Sequence, residues 1–169
     1  MKGSEQFHIK LSNKFERSQE ELSRVRYRKN PAGLVKFLEL IQKLIRILSV
    51  APRPRPPLGH FEQWPKGSSR EGWELWKLEF KMPQLQGASG QGRLIYLLDI
   101  TKQEVVLVWI YTHAEFEKRP PDSSLKRLLR KIIEDDEVLE ESNYLADNGD
   151  GETAENKVGE NKSSDSQGT

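Results

Sequence analysis

Two apolar segments dominate the hydrophobic pattern of the chain. RLIYLLDI (residues 93–100) and VVLVWIYT (105–112) are rich in β-branched and aromatic residues, and the polar TKQE (101–104) joins them. Segments of strand length with so short a polar link predict two adjacent antiparallel strands. Apolar residues occupy consecutive positions in both, so both faces should be covered, which places this hairpin mid-sheet beneath helices.

The flanking patterns supply the remaining elements. Phe7, Ile9 and Leu11 alternate with His8 and Lys10, as in an edge strand with one buried face. From Asn13 to Tyr27 a charged run carries Phe15, Leu22 and Val25, the narrow stripe of a surface helix. Asn30 before Pro31 signals a second helix start, because Asn can cap free amides and proline in the first turn loses no needed donor. Leu34, Phe37, Leu38, Ile41, Leu44, Ile45 and Leu48 follow at spacings of three and four, making this helix the expected main cover of the sheet. It should stop by Ala51, where PRPRPP forms an extended connector. Residues 58–72, with His60, Phe61 and Trp64 among glycine, proline and serine, read as a loop. WELWKLEFKM (73–82) alternates again, with Trp76, Leu78, Phe80 and Met82 on one face and Lys77, Glu79 and Lys81 on the other. A flexible loop, PQLQGASGQG (83–92), leads back to Arg93. Beyond Pro120 and Pro121, Asp122 or Ser123 can cap a last helix with Leu125, Leu128, Leu129, Ile132 and Ile133 on one side and Lys126, Arg127, Arg130 and Lys131 on the other.

The expected fold class is therefore α+β: a small, mainly antiparallel sheet of about four strands in the order β-α-α-β-β-β-α, with helices packed on it. The expected domain is residues 1–133, and 134–169, poor in large apolar residues and rich in Glu, Asp, Ser, Asn and Gly, reads as a disordered acidic tail. Charge divides along the same line. Residues 1–131 hold 25 Lys and Arg against 14 Asp and Glu, a surplus of +11, whereas 132–169 hold 2 against 12, a surplus of −10. A basic body points toward a polyanionic partner, because cations on phosphates release condensed counterions.

The chain has no cysteine, which excludes disulfides, cysteine nucleophiles and thiolate metal sites, and three dispersed histidines make no metal signature. ADNGDG (146–151) fails as a calcium loop, with Ala146 at the first ligand position and Lys157 at the twelfth. No cofactor or metal is expected. MKGSEQFHIK lacks the apolar core of a signal peptide, and the longest apolar run, about 105–111, is far short of a bilayer span. A cytoplasmic protein with no membrane partner is expected.

GWEL (72–75), RLIYLLD (93–99) and VLVWIYTHAEFEKRPP (106–121) together resemble the RelE/ParE superfamily of bacterial toxins, especially its RelE and HigB-like members, over roughly residues 5–133. The resemblance implies a RelE-like fold, a toxin-type mRNA endoribonuclease acting at the ribosome, and mRNA, the ribosome and a cognate antitoxin as partners. An alternative is a non-catalytic interaction protein of the same fold, including a gyrase-inhibitor-like toxin. Metal-free RNA cleavage needs an acceptor for the 2′-hydroxyl proton, cations for the phosphorane and a donor for the leaving oxygen. By resemblance, Arg93 supports the scissile phosphate, His113 serves the cleavage step, and Lys77 is a base or phosphate contact. Lys118 and Arg119 fall in a basic run similar to that of HigB-like members, and Phe116 can stack on a base. Lys81, Lys126, Arg127 and Arg130 complete the expected RNA-contacting set, with Glu79 a weaker candidate. The chain departs from the family where Trp76 replaces an arginine, and where a late family tyrosine has no counterpart, Tyr144 lying in the expected disordered tail.

Overall fold

The computed structural model describes residues 5–149. The chain divides into two compact units, one spanning Met1–Ile133 and the other beginning at Glu134. Strand β1 (His8–Leu11) leads into helices α1 (Asn13–Arg26) and α2 (Pro31–Val50). A short strand β2 (Gly59–Phe61) then precedes β3 (Trp73–Lys81), β4 (Gln91–Asp99), β5 (Glu104–Thr112) and helix α3 (Asp122–Gly149). The sheet order is β1-β5-β4-β3-β2, antiparallel except for the parallel β1–β5 pair. The β4–β5 hairpin is thus interior and β1 is an edge, as the hydrophobic pattern implies.

Local chemistry accounts for the helix starts. The Ser12 hydroxyl accepts from the Phe15 amide at 3.1 Å, and the Asn30 side chain accepts from the Gly33 amide at 2.9 Å with Pro31 in the first turn. Asn30 also donates to Gln84 Oε1 at 2.6 Å, tying the cap to the β3–β4 loop. We expect Asn30→Ala to cost about 1 kcal/mol of stability, read as a lower urea midpoint with unchanged slope.

Each face of the sheet has its own core. On one, Phe15, Leu22, Phe37, Ile41, Leu44 and Leu48 of α1 and α2 join Trp76, Leu78, Leu94, Tyr96, Leu98, Leu107 and Ile110. On the other, Leu125, Leu129 and Ile133 of α3 join Leu75, Ile95, Leu97, Val106, Val108 and Tyr111. Coverage on both sides explains why β4 and β5 carry apolar residues at consecutive positions. The proline run is anchored as a connector by the Tyr96 hydroxyl, which donates to the Pro52 carbonyl at 2.7 Å.

Three expectations are corrected. The sheet has five strands, because residues 59–61 pair antiparallel with β3 within the expected loop; a three-residue strand is too short to leave an alternating pattern. Val25 is 56% exposed at the edge of the α1 stripe, and Ser18 is buried instead. Its hydroxyl donates to the Phe15 carbonyl and accepts from the Ile110 amide, so a polar residue fits that apolar face. Finally, α3 does not stop at Ile133 but continues to Gly149, so residues 134–149 of the expected disordered tail are helical, Tyr144 among them. That stretch holds four Glu and two Leu, has no proline or internal glycine, and extends an existing helix, which avoids the cost of nucleation. The rest of the expected tail, residues 150–169, lies outside the described residues. Among the described residues no helix is long and apolar enough to cross a membrane.

Candidate functional site

The pleat gathers polar side chains on the α3-facing side of the sheet at one end. Register places His60 opposite Lys77, and Glu79 opposite Arg93, which in turn faces Tyr111. Directly opposed residues share a face, so two polar rungs two residues apart along β3, His60–Lys77 and Glu79–Arg93–Tyr111, form a stepped polar row, the first rung closed by Ile95 on β4. The neighbouring Gly92 secures that register: a Cβ there would lie 2.3 Å from the Phe80 ring that covers it from β3.

Beyond β5, the corner at 113–120 folds back over this row. The His113 amide donates to the Gln91 carbonyl at 2.9 Å, extending the ladder by one residue. The Glu115 and Phe116 amides both donate to the Thr112 carbonyl, closing a turn, and the Tyr111 hydroxyl donates to the Lys118 carbonyl at 2.9 Å. Burial pushes the Tyr111 phenol well above its ordinary pKa, with Glu62 adding to the rise and Arg93 and Arg119 opposing it. This tyrosine therefore serves as a neutral post between two ionic groups.

The first group is Glu79, Arg93 and His113. Arg93 Nη1 lies 2.9 Å from His113 Nδ1 and donates to the Glu117 carbonyl at 3.1 Å, while Nε is 3.5 Å from Glu79 Oε1. A guanidinium has no acceptor, so this contact requires a lone pair on Nδ1 and leaves the neutral imidazole proton on Nε2. The Arg93 side chain is 14% exposed and that of Glu79 is 45% exposed, so the guanidinium is sheltered and the carboxylate open.

The second group centres on Glu62. Its carboxylate is 3.0 Å from both Lys77 Nζ and Arg119 Nη1, and 3.6 Å from His60 Nε2. Arg119 also holds Asp122 Oδ1 at 2.7 Å through Nη2 and donates to the Gln63 carbonyl.

The sequence-predicted residues thus separate into sets. Arg93 and His113 meet directly, and Lys77 lies on the same face two residues from Glu79 but is paired with Glu62. Lys81 is exposed at the end of that row, opposite Gln91. Lys118 is exposed on the corner above it, and Arg119 is half-buried in its ion pairs. Phe116 is half-buried, edge-on to Trp109 at 5.8 Å and to Tyr111 at 5.7 Å, so its ring helps build the α3-side core. Arg130 donates to the Gly67 carbonyl at 3.1 Å, placing that part of α3 beside the loop after β2, with Lys126 half-buried nearby and Arg127 exposed. Two residues gain weight over their sequence reading. Glu79 is only a weaker candidate in the sequence, on the face of Lys77, and Glu62 carries no pattern signal, since its position depends on the β2 pairing.

No protein-family model matches the chain, and no curated protein matches it. Solved structures similar to it include an archaeal RelE–RelB complex from Pyrococcus horikoshii OT3, at 14% identity over 63% of this chain and 94% of that one, TM-score 0.39. Another is the toxin-antitoxin complex RelBE2 from Mycobacterium tuberculosis, at 16% identity over 63% of this chain and 98% of that one, TM-score 0.37. A third is a mutant of the E. coli toxin RelE in the free state, at 13% identity over 66% of this chain and 88% of that one, TM-score 0.37.

Proposed function

We propose that this protein is a toxin-type endoribonuclease that cleaves mRNA at the ribosome without a metal, through the RNA 2′-hydroxyl, and is held in check by a cognate antitoxin. The observation that carries the reading is the convergence of Glu79, Arg93 and His113 at one end of the sheet, with Arg93 between the other two. The sequence resemblance described above points to the same chemistry.

The three groups divide the reaction between them. Glu79, open to solvent, accepts the 2′-hydroxyl proton as the 2′-oxygen attacks phosphorus. Arg93 supports the charge on the non-bridging oxygens through its fork of donors. His113 gives a proton to the leaving 5′-oxygen as the P–O5′ bond breaks, leaving a 2′,3′-cyclic phosphate and a 5′-hydroxyl. The histidine must be doubly protonated for this, which is incompatible with an Arg93 donor at Nδ1. In the reacting complex Arg93 therefore leaves His113 Nδ1 for the phosphate. Lys77 acts as a phosphate contact, because an ammonium paired with a carboxylate has no lone pair for the 2′-hydroxyl proton. Lys81 and Lys118 lie where an RNA strand leaving this end of the row meets exposed cations, and Lys126, Arg127 and Arg130 extend the positive surface along α3.

The test is induced expression of wild type beside the Glu79→Gln, His113→Ala double variant, with mapping of new mRNA 5′ ends. Wild type should create discrete ends at ribosome-engaged positions and the double variant none. Equal ends from both would remove the assigned site, and absence of ends from folded wild type would favour the binding-only alternative.

A further inference from the structure

We propose that Lys77, His60 and Arg119 form a second phosphate subsite for the RNA strand, and that the Glu62 carboxylate occupies it in the free protein. This deepens the ribonuclease reading and rests on it. Two cations from separate parts of the chain, one on β3 and one on the corner after β5, meet a single carboxylate oxygen pair at 3.0 Å each. Their side chains are only 11% and 16% exposed, and that of Glu62 is 11% exposed. Desolvated donors aimed at paired oxygens are the arrangement that recognises a phosphodiester, and here a carboxylate supplies those oxygens.

Position makes the subsite part of the same binding surface. Lys77 and Glu79 are two residues apart on β3 and point to the same face, about 6.6 Å from each other along the strand. An RNA backbone crossing the polar row with one phosphate at Arg93 therefore presents a neighbouring phosphate toward Lys77. Glu62 is fixed from behind, because its amide donates to the Leu75 carbonyl at 2.9 Å. Its side chain can rotate away while its backbone stays on β3. Arg119 remains oriented after such a rotation through Asp122 and the Gln63 carbonyl, so Lys77 is the cation most changed by release.

The pairs around Glu62 also tie β2 to the corner, and a purely structural role makes a different prediction. Glu62→Gln keeps the shape and a hydrogen-bonding oxygen but removes the competing charge. The probe is a short 2′-O-methyl RNA oligonucleotide of mixed sequence, which binds without being cut. The expected result is affinity higher by on the order of tenfold, with the slope of log K against log salt steeper by about 0.7 for one added phosphate contact. Both gains should vanish when Lys77→Gln is added to Glu62→Gln. Unchanged affinity and slope in folded Glu62→Gln overturns the proposal. If that variant does not fold, Glu62→Asp, whose shorter arm withdraws the carboxylate from Lys77, must show the same direction of change or the subsite is rejected. Cleavage of ribosome-bound mRNA is scored separately: tighter binding without any cleavage keeps the subsite and removes the nuclease, whereas cleavage without tighter binding does the reverse.

Discussion

Replacing Arg93 by alanine is expected to lower RNA cleavage by about 10²- to 10⁴-fold while leaving the protein folded. The hydrogen-bond and ion-pair partners of its guanidinium are Glu79, His113 and the Glu117 carbonyl at the end of the sheet. Removing it takes away the group assigned to the phosphorane. Arg93→Lys should recover little, because an ammonium cannot reach His113, the Glu117 carbonyl and Glu79 with one fork. Single-turnover cleavage of ribosome-bound mRNA, with circular dichroism as the folding control, checks this. A variant that cuts like wild type would place the chemistry elsewhere.

The second large effect is on stability. Phe37 is fully buried on α2 and stacks on Tyr27 with ring centroids 5.3 Å apart, inside the core that fastens both N-terminal helices to the sheet. Phe37→Ala should cost about 3–5 kcal/mol, the transfer term plus the cavity it leaves. Total stabilities of domains are only about 5–15 kcal/mol, so this single change should shift the urea midpoint severely. A change at exposed Val35 on the same helix should shift it little.

Where the sequence was legible, local chemistry decided the structure. Asn30 and Pro31 mark the start of α2 because the cap is made within three residues, and the β4–β5 hairpin is visible because both its faces are buried. What escaped depends on partners distant in the chain. Strand β2 exists because β3 offers a free edge, and nothing in Gly59–Phe61 alone announces it. Ser18 is buried because the Ile110 amide needs an acceptor there. The extension of α3 to Gly149 follows from helix propagation, whereas its acidic, polar composition suggested disorder.

The site divides in the same way. Arg93 and His113 were reachable through resemblance, and alternation put Glu79 on the face of Lys77. That Glu79 stands opposite Arg93 is a matter of hairpin register, which the loop at 83–90 leaves open. The Glu62 pairs were further out of reach, since they require β2, β3 and the corner after β5 to be assembled first.

The most direct test of the central claim is product chemistry on ribosome-bound mRNA carrying a single 2′-deoxy substitution at a mapped cut. The account predicts that unmodified RNA yields a 2′,3′-cyclic phosphate and a 5′-hydroxyl at that position, and that the deoxy substrate stays intact there. Cleavage of the deoxy substrate at the same position would contradict it.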